Sequence, residues 1–372
     1  MRNRILNKVA IVLIVFLFSI VSPTHAVAAS PTVLKAKQEA ESRGYIFVSS
    51  RDEIIGRGKK EGQLRVFNSL RDAIKPLTEA FNKKYPFIEA HVEEFMGTDD
   101  AQRTLLQLKA GTLKGLDIAR TPVDFYNQYL PFLSKFDILG MSQSGVLDIP
   151  SAMIDSINRD VIAVANRIQV VAYNRNLISE DKVPGKWEDF LKPEFKGRKF
   201  VADIRPQEIA ALVPAWGLEK TLEFARKLAA QEPIWIRGGN RAMVSLVAGE
   251  YSLFLGPNLD SVKPIQAKPP TGILGYKIAE PVPTRYGEES AILKTAEHPY
   301  AALLWLEFLA SPEAQKIIDK NGAGSLFVRG SVLENETRGK QISLPQWGDH
   351  TKMEEWQAKI VEAYGFPKAE VK

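Results

Sequence analysis

Two features of the sequence predict an α/β fold made of two α/β lobes with mixed, mainly parallel sheets. Short apolar runs alternate with helical periods in the order strand, helix, strand, helix, strand, the pattern of a parallel sheet covered by helices. The pattern occurs once before about residue 165 and again after it. Length is the second feature. About 345 of the 372 residues remain once an N-terminal export segment is set aside, more than one hydrophobic core usually organises.

After a polar, helix-prone lead-in from Pro31 to Gly62, "QLRVFNSLRDAIKPLTEAFNKKYP" passes from a short apolar strand to a helix carrying Ile74, Leu77 and Phe81 at helical spacing. "FIEAHVEEF" alternates as a strand, and "MGTDDAQRTLLQLKAG" reads as a helix with Thr98 as N-cap, acids in its first turn and Gly111 as its stop. "LDIARTP" is a third strand. "RIQVVAYN" and "KFVADIRP" are strands flanking the proline-rich "VPGKWEDFLKPEFKG". A helix follows over Ala215 to Leu228, then "EPIWIRGGN" as a strand running into a loop, a helix over Arg241 to Ala248, and "EYSLFLGPN" as another strand. "KIAEPVPTRYGEESAILK" is extended, and "HPYAALLWLEFLASPEAQKIIDKNG" contains two helices, the second started by Ser311-Pro312 and stopped by Asn321-Gly322. A last amphipathic helix carries Trp356, Ile360 and Tyr364.

Arg2, Arg4 and Lys8 precede an apolar run from Val9 to Val21, with small residues beyond Pro23. The run is shorter than the roughly 20 residues that span a bilayer and fits a secretory signal peptide over residues 1–28. Losing its three basic residues lowers the net charge from +5 to +2. Acids and bases alternate along the rest, without the basic footprint of a nucleic-acid binder. The chain has no cysteine, which excludes disulfides, thiolate metal sites, a cysteine nucleophile and a lipid-modified N-terminal cysteine. A protein exported to the periplasm, with no membrane anchor after cleavage, is the expectation.

"EGQLRVFNS", "VVAYNRNLI", "WEDFLKPEFKGRKFVAD", "VSLVAGEYSLFLG" and "AALLWLEFLASPEAQKIIDKNG" occur in this order and spacing. Over about residues 60 to 325 the chain thereby resembles the two-lobed type II periplasmic substrate-binding proteins of ABC transporters, the branch that includes ferric-iron, thiamine and phosphonate binders. The resemblance implies two lobes joined by a two-strand hinge, with the ligand in the cleft between them. Lobe one comprises residues 62–167 and 278–372, lobe two residues 168–277, and residues 29–61 form a helical lead-in. It also implies a monomer that closes on a solute and delivers it to a permease in the inner membrane.

Ligands of open α/β sheets bind outside the carboxyl ends of strands, so the strand-end loops supply the candidate site. They offer Ser69, Thr98, Arg120 and Thr121 from lobe one, and Arg205, Arg237, Gly238, Gly239, Asn240, Arg241 and Asn258 from lobe two. Tyr286 follows the second crossing. Arginine recurs on separate loops, and its planar fork matches a carboxylate or phosphonate. "IRGGNRAMV" places Arg237 and Arg241 around a helix start, itself favourable to anions. A small anionic organic solute is the expected ligand: a carboxylate, phosphonate or sulfonate.

Ferric iron with a synergistic anion is an alternative, as is a periplasmic sensory module. The resemblance implies that iron binders carry an adjacent tyrosine pair just after the strand matching "EYSLFLG", where this chain reads "PNLDSV". No strand-end loop contains histidine, and no metal site or cofactor is expected. No GxSxG, HExxH, P-loop or strand-following GxGxxG is present, so no catalytic residue is assigned. Asp99 and Asp100 are adjacent and do not face each other on a helix. Trp187, Trp235, Trp305 and Trp356 read as core, and Trp216 lies nearest the expected cleft.

Overall fold

The structure, a computed structural model, describes residues 30–366 apart from Met96, Pro269, Pro270, Thr271 and Ala323. The signal segment expected at residues 1–28 lies outside the described residues. No helix among the described residues is long and apolar enough to cross a membrane.

Among those residues ten strands form the sheet: β1 (Gln63–Asn68), β2 (Glu89–Glu94), β3 (Ile118–Arg120), β4 (Val161–Asn174), β5 (Val201–Asp203), β6 (Ile234–Ile236), β7 (Leu253–Asn258), β8 (Leu274–Lys277), β9 (Val282–Ile292) and β10 (Ile342–Ser343). Their order is β2-β1-β3-β9-β4-β7-β5-β6, with β8 on β4 and β10 on β9. β1 pairs parallel with β2 and β3, and β5 pairs parallel with β6 and β7. These are the sheets of the two lobes. They meet at β4 and β9, whose residues Val161–Ile168 and Thr284–Ala291 pair antiparallel.

The connection between the lobes follows from strand length. β4 has 14 residues, which at about 3.3 Å per residue is far longer than a lobe strand needs. Its first half pairs with β9 and its second with β7 and β8. β4 and β9 are buried along nearly their whole length, so the connection between lobes is stiff backbone rather than loose linker.

The lead-in forms two helices, Pro31–Ser42 and Arg51–Glu61. The second lies on the apolar helix Pro299–Ala310, whose residues from Ala301 onward are all buried. Arg51 donates to Glu307 at 3.1 and 2.8 Å. The Glu61 carboxylate accepts from the Tyr300 and Ala301 amides at 3.0 and 2.7 Å, satisfying groups that a helix start leaves unpaired. Gly58 permits the close approach, since a Cβ there would lie 3.1 Å from Leu304 Cδ1. The lead-in is therefore part of the lobe-one core.

Lobe two is packed around Trp187, Phe190, Phe200, Phe224 and Leu228. The last helix, His350–Ala363, was expected with lobe one, but it touches both lobes. Met353, Trp356 and Ile360 pack with Phe224 and Leu228. Gln357 donates to Asp124 at 2.8 Å, and Asn127 donates to the Thr351 carbonyl at 3.1 Å. A helix bearing apolar residues on one face and amides on another can satisfy both neighbours. The helix Leu259–Gln266, which holds Pro264 inside it, was not anticipated. Trp187 and Trp305 are fully buried. Trp216 packs on Phe224 at 5.3 Å, with Lys220 over its other side, and is not part of the cleft lining.

Candidate functional site

A cleft of about 790 Å³ opens where the two half-sheets meet. The ends of β1, β3, β5 and β7, the crossing strands, and the starts of the helices Gly97–Lys109 and Gly239–Val247 contribute to it. Six arginines line it, Arg71, Arg120, Arg167, Arg205, Arg241 and Arg285, and so do six acids, Glu94, Asp124, Asp203, Glu208, Asp260 and Glu289.

Half of these charges are already in ion pairs. Arg120 is 5% exposed, lies 3.4 Å from Glu288 Oε2 and stacks over Phe95. The same Glu288 oxygen accepts from the Ser69 amide and hydroxyl, each at 2.8 Å. Arg167 donates to Asp260 at 3.2 Å and to Ser69 Oγ at 3.1 Å. Arg205 grips Asp203 with two nitrogens, at 3.3 and 3.0 Å, and donates to Thr98 Oγ1 at 3.1 Å. That last bond joins the lobes. Gln207 and Asp124 form a second such link. Thr98 lies one residue inside a helix beginning at Gly97, so its hydroxyl serves Arg205 rather than acting as the expected cap.

Of the sequence-predicted residues, Ser69, Thr98, Arg120, Arg205, Gly238, Gly239, Arg241, Asn258 and Tyr286 line the cleft. Thr121 is fully buried with its amide on the Glu289 carbonyl, and it does not line the cleft. Arg237 is exposed and also lies outside the lining. Asn240 is in the first turn of its helix, and its side chain is outside what the structure describes. "IRGGNRAMV" thus contributes Arg241 and the two glycines, without Arg237. The Gly238 amide donates to Asp203 Oδ2 at 3.2 Å. The anion beside this helix start is the protein's own carboxylate.

Three arginines lining the cleft have no carboxylate partner among the described residues. Arg71 and Arg241 are exposed. Arg285, inside β9, donates to Asn258 Oδ1 at 3.2 Å. With the Gln169 amide turned so that its nitrogen faces the Pro283 carbonyl, the Gln169 oxygen accepts from Arg285 Nε at 2.9 Å. Burial, with Arg167 alongside, draws the Arg285 guanidinium below its ordinary range despite nearby acids.

Sequence reading missed Arg167, Arg285, Glu208 and Glu289. It searched loops at strand ends, whereas Arg167 and Arg285 lie within the crossing strands. An arginine inside an otherwise apolar strand run, as in "NRIQVVAYN" and "PTRYGEESA", was the available signal. Behind the floor, His350 Nε2 lies 3.0 Å from Glu289 Oε1. Both are buried, and His350 stacks on Trp347, which in turn stacks on Tyr286 at 4.2 Å. Burial also pushes the Tyr286 hydroxyl up to about 12.

The family model for bacterial extracellular solute-binding proteins matches residues 132–352. This chain belongs to that family. The solute-binding protein shares its two-lobed type II fold with solved structures. One is the apo ferric ion-binding protein A of Pasteurella haemolytica, at TM-score 0.63 and 18% identity, covering 83% of this chain and 99% of that one. An iron- and citrate-bound protein from Trichodesmium matches at TM-score 0.63 and 19% identity, over 82% and 98%. The substrate-binding protein of an ABC transporter from Agrobacterium tumefaciens matches at 0.59 and 17%, over 80% and 95%. A comparison with curated proteins finds no match. At such identities these likenesses speak to the fold. The solute-binding protein keeps that fold and lines its cleft with arginines and acids in equal number among the described residues.

Proposed function

We propose that this solute-binding protein captures a small anionic organic solute, a carboxylate, phosphonate or sulfonate, between its lobes. Exported to the periplasm and monomeric, it delivers that solute to an ABC permease in the inner membrane. Arg285 carries the reading. It is a guanidinium on the cleft floor, in a hinge strand, with only neutral side chains bonded to it. Arg241 from lobe two and Arg71 from lobe one flank the same space. An anion reaching all three would bind the closed form better than the open one, which is how a ligand drives closure. Lobe one is residues 62–167 with most of 278–372, lobe two is 168–277, and the last helix bridges them.

The neighbours' names raise ferric iron as a second reading. Fe³⁺ needs several anionic oxygens. Tyr286 is the one tyrosine among the described lining residues and lies in an aromatic stack. Asp203, Asp260 and Glu289 are paired with Arg205, Arg167 and His350. Arginine-rich surroundings suit an anion instead.

A thermal-shift screen of the mature protein against small carboxylates, phosphonates and sulfonates, with ferric citrate included, tests the proposal. Ligand at a hundredfold excess over its dissociation constant adds about 2.7 kcal/mol of stability. Stabilisation by an organic anion, lost in Arg285→Gln, is the expected outcome. Stabilisation by iron alone, or by uncharged solutes indifferent to Arg285→Gln, would overturn it.

A further inference from the structure

Resting on the anion reading above, we propose that the solute is a zwitterion, with a protonated amine received by Glu208 and Asp260 beside the anionic end on Arg285. The starting observation is a pair of stranded oxygens. Glu208 lines the cleft at 5% exposure, and its Oε1 has no hydrogen-bond partner. Asp260 lines it too; its Oδ2 accepts from Arg167, while Oδ1 is buried without a partner. A buried acceptor left unsatisfied costs roughly 1–3 kcal/mol. A cleft built only for an anion has no use for two such groups.

The placement joins them to the anion site. Glu208 presses on Gly256 in β7, where an added Cβ would overlap its side chain, so the carboxyl cannot swing away across that strand. Asp260 stands two residues beyond Asn258, the residue that bonds Arg285. The two acids therefore flank the strand end that carries the Arg285 contact.

Glu208 is faced by Asp203 at the end of β5, by Arg205 just beyond it, by Arg285 of β9 and by Tyr364 after the last helix, whose buried hydroxyl is also unpartnered. Burial, then the Asp203 carboxylate, raises its pKa well above the ordinary carboxylate range. An ammonium brought to Oε1 favours the charged form, so a ligand with that group drives proton release, while a purely anionic ligand does not.

Calorimetric titration of the mature protein tests this, using several α- and ω-amino acids and aminoalkylphosphonates, each against its counterpart lacking the amine. The amine-bearing member of at least one pair is expected to bind tighter by about tenfold or more. Repeated in buffers of different ionisation enthalpy, its binding is expected to release protons, whereas that of the deaminated counterpart does not. Glu208→Gln abolishes both the preference and the proton release, and the wild-type comparison within each pair carries the test should that variant misfold. Equal affinity within every pair, or tighter binding of a non-amine donor such as a hydroxy acid, overturns the zwitterion and leaves the anion reading intact. Absence of binding by every anion overturns both.

Discussion

Arg167 and Arg285 face each other across the antiparallel pairing of β4 and β9, and both side chains enter the cleft lining. Residues directly opposite on an antiparallel pair share one face, and like charges there destabilise by about 0.2–1 kcal/mol. Asp260 neutralises Arg167 at 3.2 Å. Arg285 has neutral partners only, Asn258 and Gln169. The crossing strands thus contain an electrostatic imbalance that an incoming anion would relieve.

Replacing Arg285 separates this imbalance from ordinary packing. Arg285→Gln is expected to weaken binding of the organic anion by at least about tenfold, the loss of a charged hydrogen bond. Without ligand its stability should stay within about 1 kcal/mol of wild type, because the like-charge pair disappears along with the Asn258 bond. Calorimetric titration and thermal melting of the same preparation give both values.

The buried His350–Glu289 pair should make stability depend on pH. Burial pulls the His350 pKa down, but the hydrogen bond and charge of Glu289 outweigh it and raise the value above 6.5. The Gln346 carbonyl and Asp155 act in the same sense. A value raised in the folded state means that the unfolded chain binds fewer protons there. The stabilisation is therefore complete below about pH 6.5 and is lost as pH rises through the folded-state value. His350→Gln should lower stability by about 1–3 kcal/mol at pH 6 and flatten that decline, as denaturant titrations between pH 6 and 9 would reveal.

Gly256 is constrained twice. Its φ of +81° is one that L side chains rarely adopt, and a Cβ there would overlap Glu208. Gly256→Ala is expected to cost about 1–3 kcal/mol in a urea melt. It should also weaken ligand binding by displacing the carboxyl. Gly239→Ala is the control, with a helical φ and only ordinary contact to Phe254.

The lead-in makes a prediction of its own. Glu61→Ala removes the acceptor that serves two amides at the start of Pro299–Ala310, and loss of a helix-start acceptor costs about 0.5–2 kcal/mol. Exchange of the Tyr300 and Ala301 amides with deuterium should accelerate in the variant, while amides of β5 and β7 in lobe two remain unchanged.

The alternation of strand and helix was readable from side-chain period alone, and so was the core role of Trp305, while Trp187 was placed in the core by the packing motif it shares with the family it resembles. That period reports which face is buried, and burial is what the lobes share with every α/β protein. The length of β4 was less legible, since a fully buried strand gives no alternation to mark its ends. Within the cleft, loops after strands led to Arg205 and Arg241, and topology justified looking there. Partnership was not readable. Nothing in "VADIRP" says that Asp203 folds back on Arg205 and on the Gly238 amide, because residues far apart in the chain bring those groups together. Arg237 and Arg241, four residues apart, ended on opposite sides of the question for the same reason: one faces solvent and the other the cleft.

The last helix, His350–Ala363, rests on lobe one through Asp124 and Asn127 and on lobe two through Phe224 and Leu228. Together with β4 and β9 it makes three ties between the lobes. Two paired strands alone would tolerate twisting and sliding as well as bending. A third tie beside them resists the first two, since either would lift the helix from one of its beds. If the lobes close on a solute, a swing about a single axis would remain, and the mouth of the cleft would retrace one path each time a solute enters or leaves.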